Sequence, residues 1–127
     1  MTGPLDDLLP HRAPMLLLEG GDGEGAYVRV DPGAWYADET GAMPGWFGLE
    51  LMGQAVAARR PEGSQGRPGY LVGTRAYRSI AAFPGGSLLR MRILGSEEDE
   101  SGLAAYDCEI LLHGESVATA VLKVIRP

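Results

Sequence analysis

The sequence predicts an α+β domain in which a mostly antiparallel sheet curls around one central helix. The first observation behind this is the stretch MPGWFGLELMGQAVAA, Met43 to Ala58, which is apolar on nearly every side. Such a helix belongs in the middle of a fold. The second is the pattern around it, with two strand-like runs before the helix and four or five after it. The third is geometric. A flat sheet cannot cover a helix on all sides, so the sheet must wrap it, and a second copy of the chain is expected across a sheet edge or over the exposed helix face.

Each element has its own signal. Pro4 to Leu9 reads as a short helical turn closed by Pro10 and followed by His11, Arg12 and a second proline at Pro14. Met15 to Glu19 reads as a first strand, Gly20 to Gly25 as a glycine-rich turn, and the alternating Ala26 to Val30 as the second strand of a hairpin. Pro32 and Gly33 end that strand. Trp35 to Ala42 forms an irregular lead into the helix, and Pro44 suits its first turn. The helix is predicted to stop near Arg59 and Arg60, whose charges suit its C-terminal dipole, and Pro61 to Pro68 reads as a loop. Further strand-like runs lie at Tyr70 to Thr74, Tyr77 to Ala81, Leu88 to Leu94, Leu103 to Leu112 and Ser116 to Ile125. Pro84-Gly85-Gly86, Glu97 to Gly102 and His113-Gly114 supply the turns, the last joining the final two strands as a hairpin.

A length of 127 residues suits one domain, residues 1–127, with a core large enough to need no disulfide or structural metal. One cysteine, Cys108, and two separated histidines make no zinc pattern, so neither metal nor cofactor is expected. Cys108 reads as a small buried side chain and His113 as a surface residue. The N-terminal stretch lacks the features of a secretion signal, and its apolar piece Met15 to Leu18 is far too short to span a bilayer. A cytoplasmic location is the expectation. Eleven Lys and Arg against seventeen Asp and Glu give a formal charge of −6, which argues against nucleic acid as a partner.

Glu50 and Gln54 are the strongly polar side chains within the apolar helix. Taking a carboxylate out of water is costly unless it is paired or protonated, and burial is one way proteins prepare a proton donor near neutral pH. Residues four apart share a helix face, so Gln54 can reach the Glu50 carboxyl group. Pairing of Glu50 with Arg12 or a backbone donor is the purely structural alternative.

Beyond these local readings, the order of elements resembles the hotdog fold. Leu9-Pro10-His11-Arg12-Ala13-Pro14-Met15-Leu16-Leu17 resembles the N-terminal segment of the 3-hydroxyacyl-[acyl-carrier-protein] dehydratases of fatty acid synthesis. Met43-Pro44-Gly45, followed by Glu50 and Gln54, is similar to their central-helix motif. Leu71-Val72-Gly73 and Phe83-Pro84-Gly85-Gly86-Ser87-Leu88 are similar to two later strand and turn signatures. The matches fall in the family's order and cover most of the chain. One departure stands out: the family's catalytic histidine lies eight residues before the motif proline, and here that position is Tyr36. Trp35 to Gly41 is closer to the dehydratase-like hotdog proteins of aryl polyene biosynthesis.

The resemblance implies action on 3-hydroxyacyl thioesters borne by an acyl carrier protein, in fatty acid or aryl polyene type biosynthesis. It implies that Glu50 handles the hydroxyl and Gln54 orients it, while an amide at Gly45 or Trp46 polarises the thioester carbonyl through the helix dipole. Gly45 would also admit a close-lying acyl chain. For the C2 base, Tyr36 has an ordinary pKa of about 10 and suits the task poorly. His11 has suitable chemistry, but the relatives carry it beside their catalytic histidine, which favours a structural role. Asp38 and Glu39 read as solvated loop carboxylates. Arg59, Arg60 and Arg67 could receive an acidic carrier protein, though helix termination explains them as well. Trp35, Trp46 and Phe47 read either as acyl-tunnel lining or as core. Sites are expected across a homodimer or a heterodimer with a related hotdog subunit. The alternatives are a non-catalytic acyl-binding subunit, which the missing histidine supports, and a thioesterase in which Glu50 activates water.

Overall fold

The computed structural model describes residues 18–22, 25–58 and 70–125. Its strands are β1 (Gly20–Asp22), β2 (Gly25–Arg29), β3 (Met43–Pro44), β4 (Tyr70–Ser79), β5 (Ala82–Phe83), β6 (Leu88–Glu98), β7 (Leu103–Leu112) and β8 (Glu115–Ile125). A 3₁₀ turn (Gly45–Phe47) leads directly into the helix α1 (Gly48–Ala58). Six strands form one sheet in the order β1-β2-β6-β7-β8-β4, antiparallel throughout, and β3 pairs with β5 in a separate two-stranded ladder. The sheet packs on α1 through β4, β6, β7 and β8, which is the hotdog arrangement.

Alternation along the long strands makes the inner face. Ala104, Tyr106, Cys108 and Ile110 of β7 and Ala118, Ala120, Leu122 and Val124 of β8 are buried. From α1 they meet Leu51, Met52, Ala55 and Val56. A fully buried Leu or Met contributes about 1.5–3 kcal/mol of transfer free energy, so this face anchors the helix. A different stripe of the helical segment stays partly open. Trp46 and Ala57 are exposed and Glu50 and Gly53 half-buried, and their spacing puts all four on one side. Among the described residues the sheet therefore covers the helix incompletely, and Glu50 is half-buried on the side that the sheet leaves open rather than deep in the core.

Several boundaries differ from those predicted. Met43 and Pro44 are strand, because Met43 pairs with Phe83 and Pro44 with Ala82, so the α-helix begins only at Gly48. Gly20–Asp22 belongs to the first hairpin, paired with Gly25 to Tyr27, where the glycines suggested a turn. The runs at Tyr70 to Thr74 and Tyr77 to Ala81 join as one strand, β4, which ends at Ser79 and is interrupted by irregular pairing between Arg75 and Arg78. Leu103–Leu112 is a strand as predicted, and the His113-Gly114 turn has φ of 52° and 80°, the left-handed pair a tight hairpin requires. Pro4 to Glu19 and the loop Pro61 to Pro68 lie largely or wholly outside the described residues, as do Arg59 and Arg60.

Candidate functional site

Glu50 and Gln54 meet as their spacing requires. The Gln54 Nε2 donates to Glu50 Oε1 at 2.9 Å, and Gln54 is fully buried. The Leu18 N–H donates to Gln54 Oε1 at 3.3 Å. An amide whose oxygen already accepts a backbone N–H can only present its NH₂ to the carboxyl group, so Leu18 sets the orientation of the pair. Glu50 Oε1 is thereby an acceptor, and the carboxyl group is held in place by the buried amide.

The 3₁₀ turn before the helix is held from two sides. Its first amide, Gly45 N–H, donates to Ala81 O at 2.8 Å, extending the β3–β5 ladder. Gly45 O accepts from the Tyr77 hydroxyl, and Ser79 Oγ lies 3.4 Å from it. A Cβ on residue 45 would lie 2.1 Å from Ile80 O, so on that side of Gly45 the space is filled by the chain's own backbone. A Cβ on residue 48 would lie 2.1 Å from the Tyr77 hydroxyl oxygen, so Gly48 makes room for that phenol. Trp46 follows in the opening turn, where helical amides lack intrahelical acceptors and the dipole favours negative charge.

Aromatic rings surround this turn. Trp46 stacks on Phe47 with centroids 3.9 Å apart, and Trp35 meets Phe47 edge-on at 5.5 Å. Phe47 is core, whereas Trp35 and Trp46 are 54% and 66% exposed, so the tryptophans are surface groups of this chain. Tyr36 packs against Trp35 and Phe47, and its hydroxyl oxygen accepts the Asp31 N–H at 2.8 Å. Burial raises the Tyr36 pKa above its ordinary 10.0, with Asp31 and Glu19 charges adding to the effect and the Asp31 backbone bond opposing it. The phenol keeps its proton at neutral pH.

Asp38 organises the preceding loop. Its Oδ1 accepts Thr40 Oγ1 at 2.6 Å, Thr40 N–H at 2.8 Å and Ala42 N–H at 3.0 Å. The Thr40 hydroxyl foremost, and then the backbone amides, hold its pKa below 3.8. Glu39 beside it is exposed. Cys108 is buried and His113 exposed, as predicted. His11 lies outside the described residues, as do Arg12 and Arg67. Tyr77, Ser79 and Gly48 were not among the candidates. The signal for them was present as the break at Arg75-Ala76 between two strand-like runs, which marks a bulge.

Comparison with known proteins places this geometry in a family. The ApeP-like family model, described as ApeP dehydratase, matches residues 3–127. The chain belongs to the ApeP-like dehydratases. Its function is thus dehydratase-like on a hotdog fold. The ApeP-like chain is similar to the dehydratase heterocomplex ApeI:P from Xenorhabdus doucetiae, with TM-score 0.73 and 29% identity over 100% of this chain and 93% of that one. It is also similar to a mutant of the phenylacetic acid degradation protein PaaI from Thermus thermophilus, with TM-score 0.63 and 20% identity over 87% and 91% of the two chains. A hypothetical thioesterase with coenzyme A from Streptococcus pneumoniae matches at TM-score 0.61 and 15% identity over 86% of each chain. At such identities the last two likenesses speak for the fold alone. No curated protein matches the ApeP-like sequence significantly. Among the described residues there is no metal-binding cluster of acidic, His and Cys side chains, and no helix long and apolar enough to cross a membrane.

Proposed function

We propose that this ApeP-like chain serves the dehydration of 3-hydroxyacyl thioesters carried by an acyl carrier protein, in fatty acid or aryl polyene type biosynthesis in the cytoplasm. The observation that carries the reading is Glu50, held by an orientation-locked Gln54 on the side of α1 that the sheet leaves open, in a member of a dehydratase family. In the reaction a base takes a proton from C2, and negative charge develops on the thioester oxygen. The C2=C3 bond forms as the C3–O bond breaks, and Glu50 gives the departing hydroxyl its proton so that water leaves. The Trp46 amide faces the thioester oxygen and lowers the cost of its charge.

The C2 base is the open role. Tyr36 occupies the position of the usual histidine, yet its oxygen is engaged by Asp31 and its burial keeps the proton on. We therefore assign Tyr36 to holding the loop, and the base to His11 or to a partner hotdog subunit. The same observation favours a second reading, in which this chain is the non-catalytic half of a heteromeric dehydratase. The similar ApeI:P structure is a dehydratase heterocomplex, which supports that assembly.

Incubating the protein with a 3-hydroxyacyl carrier protein, alone and with a related hotdog dehydratase subunit, separates these readings by product mass. Loss of water from the chain alone supports the complete enzyme, loss of water only with the partner supports the heteromeric one, and loss of the acyl group supports a thioesterase. In whichever assembly dehydrates, Glu50→Gln is expected to reduce turnover about a hundredfold or more. Undiminished dehydration by Glu50→Gln would remove Glu50 from the mechanism or leave only the non-catalytic subunit.

A further inference from the structure

We infer that Tyr77 is a positioning residue, aimed by a bulge in β4 at the Gly45–Trp46 peptide so that the Trp46 N–H is fixed and strengthened as the donor to the thioester carbonyl. This rests on the role of that amide proposed above. The carbonyl of Gly45 and the N–H of Trp46 belong to one planar trans peptide group, so a hydrogen bond on one end sets the direction of the other. Gly45 O accepts from the Tyr77 hydroxyl, from Gly48 N–H and at longer range from Ser79 Oγ. Each donor pulls electron density toward that oxygen and makes the N–H of the same peptide more acidic, as hydrogen bonds in chains reinforce one another. On the preceding peptide, Gly45 N–H is anchored to Ala81 O. The turn is thus gripped through Gly45, itself buried, by the β4–β5 corner, and the Trp46 N–H, at the opposite end of the Gly45–Trp46 peptide from the Gly45 carbonyl, points toward the helix's N-terminal end.

Three features of the chain converge on this contact. Between Arg75 and Arg78, two residues of β4 stand against one residue of β8, the count of a β-bulge. Ala76, inside it, has φ of 56°, a conformation that a residue with a Cβ adopts only at a cost. Bulges of this kind re-aim side chains next to functional sites. Here the residue after Ala76 is Tyr77, half-buried between flanking exposed residues. Gly48 completes the arrangement, since any larger residue would collide with the phenol. Burial raises the Tyr77 pKa above 10.0, against the lowering by Ser79 and the Gly48 backbone, so the hydroxyl stays protonated and able to donate.

The test uses the full chain in its active assembly, bound to a saturated acyl-pantetheine thioester labelled with ¹³C at the carbonyl. Difference infrared spectroscopy reads the C=O stretch, which falls when the oxygen accepts a hydrogen bond. Wild type is expected to lower it, and Tyr77→Phe to lose about half of that lowering, with kcat down about 5- to 30-fold and KM within about twofold. A structural defect alone would not shift the carbonyl band of bound ligand while sparing KM. An unshifted wild-type band overturns both the carbonyl-binding reading and this inference. A wild-type shift that survives Tyr77→Phe overturns this inference alone. Should Tyr77→Phe not fold, 3-fluorotyrosine at position 77 keeps the shape and donates more strongly. It is expected to lower the band further than wild type, and an unchanged band overturns the inference.

Discussion

The Asp38 carboxylate shows how one side chain can shape the approach to a site without doing its chemistry. It gathers three hydrogen bonds within four residues, and so fixes the loop that brings Tyr36 and Ala42 into place. Its folded pKa lies below the ordinary 3.8, so its stabilisation is complete above that value and is lost as pH falls through the lower, folded one. Thermal midpoints of wild type and Asp38→Ala are expected to differ by a constant amount near neutrality and to converge in acid. A difference that ignored pH would deny the carboxylate this role. Asp99 makes the same pattern with Ser101 and Leu103 in the β6–β7 turn, so the comparison needs the single variant and not the wild-type curve alone.

Two glycines of the helical segment make opposite demands, and both can be checked by denaturation. At Gly45 a methyl group would strike Ile80 O at 2.1 Å, a backbone atom that cannot step aside. Gly45→Ala is expected to lose about 1–3 kcal/mol, seen as a lower urea midpoint at unchanged slope. Around Gly53 a methyl group would meet nothing within 4 Å, and mid-helix glycine is itself unfavourable. Gly53→Ala is therefore expected to gain about 0.5–1 kcal/mol. If it gains nothing, the space beside Glu50 is taken up, as a partner over that side would make it. These elements were unevenly legible in the sequence. The helix, the β7–β8 hairpin and the Glu50–Gln54 pair follow from periodicity and spacing alone. The helix start does not, because Met43 pairs with Phe83, forty residues away, and long-range pairing overrides a local helix pattern. Tyr77 escaped notice for the same reason, since a bulge shows in sequence only as a break in a strand, while its aim is decided by β8 across the sheet.

For the molecule as a whole, the incomplete cover on α1 is the property with the widest reach. Among the described residues, Trp46, Gly53 and Ala57 give the side that the sheet leaves open small or aromatic surface around the Glu50 carboxyl group. A partner over this side would enclose Glu50 and exclude water from it, as the sequence-based expectation of a dimer requires. By native mass spectrometry the chain, alone or with a related hotdog subunit, is expected to appear as a multimer that Ala57→Glu shifts toward monomer without loss of helical signal. A monomer under both conditions would leave the helix uncovered and refute the assembly. The bulges in β4 bear on the interval before any partner arrives. Among the described residues β4 is an end strand of the sheet, the position from which edge backbone can pair with another chain. Its two interruptions and the exposed Arg75 and Arg78 make that margin a poor template. The irregularity that points a tyrosine inward also leaves this edge uneven, so a strand added there would meet a broken ladder and not a continuous one.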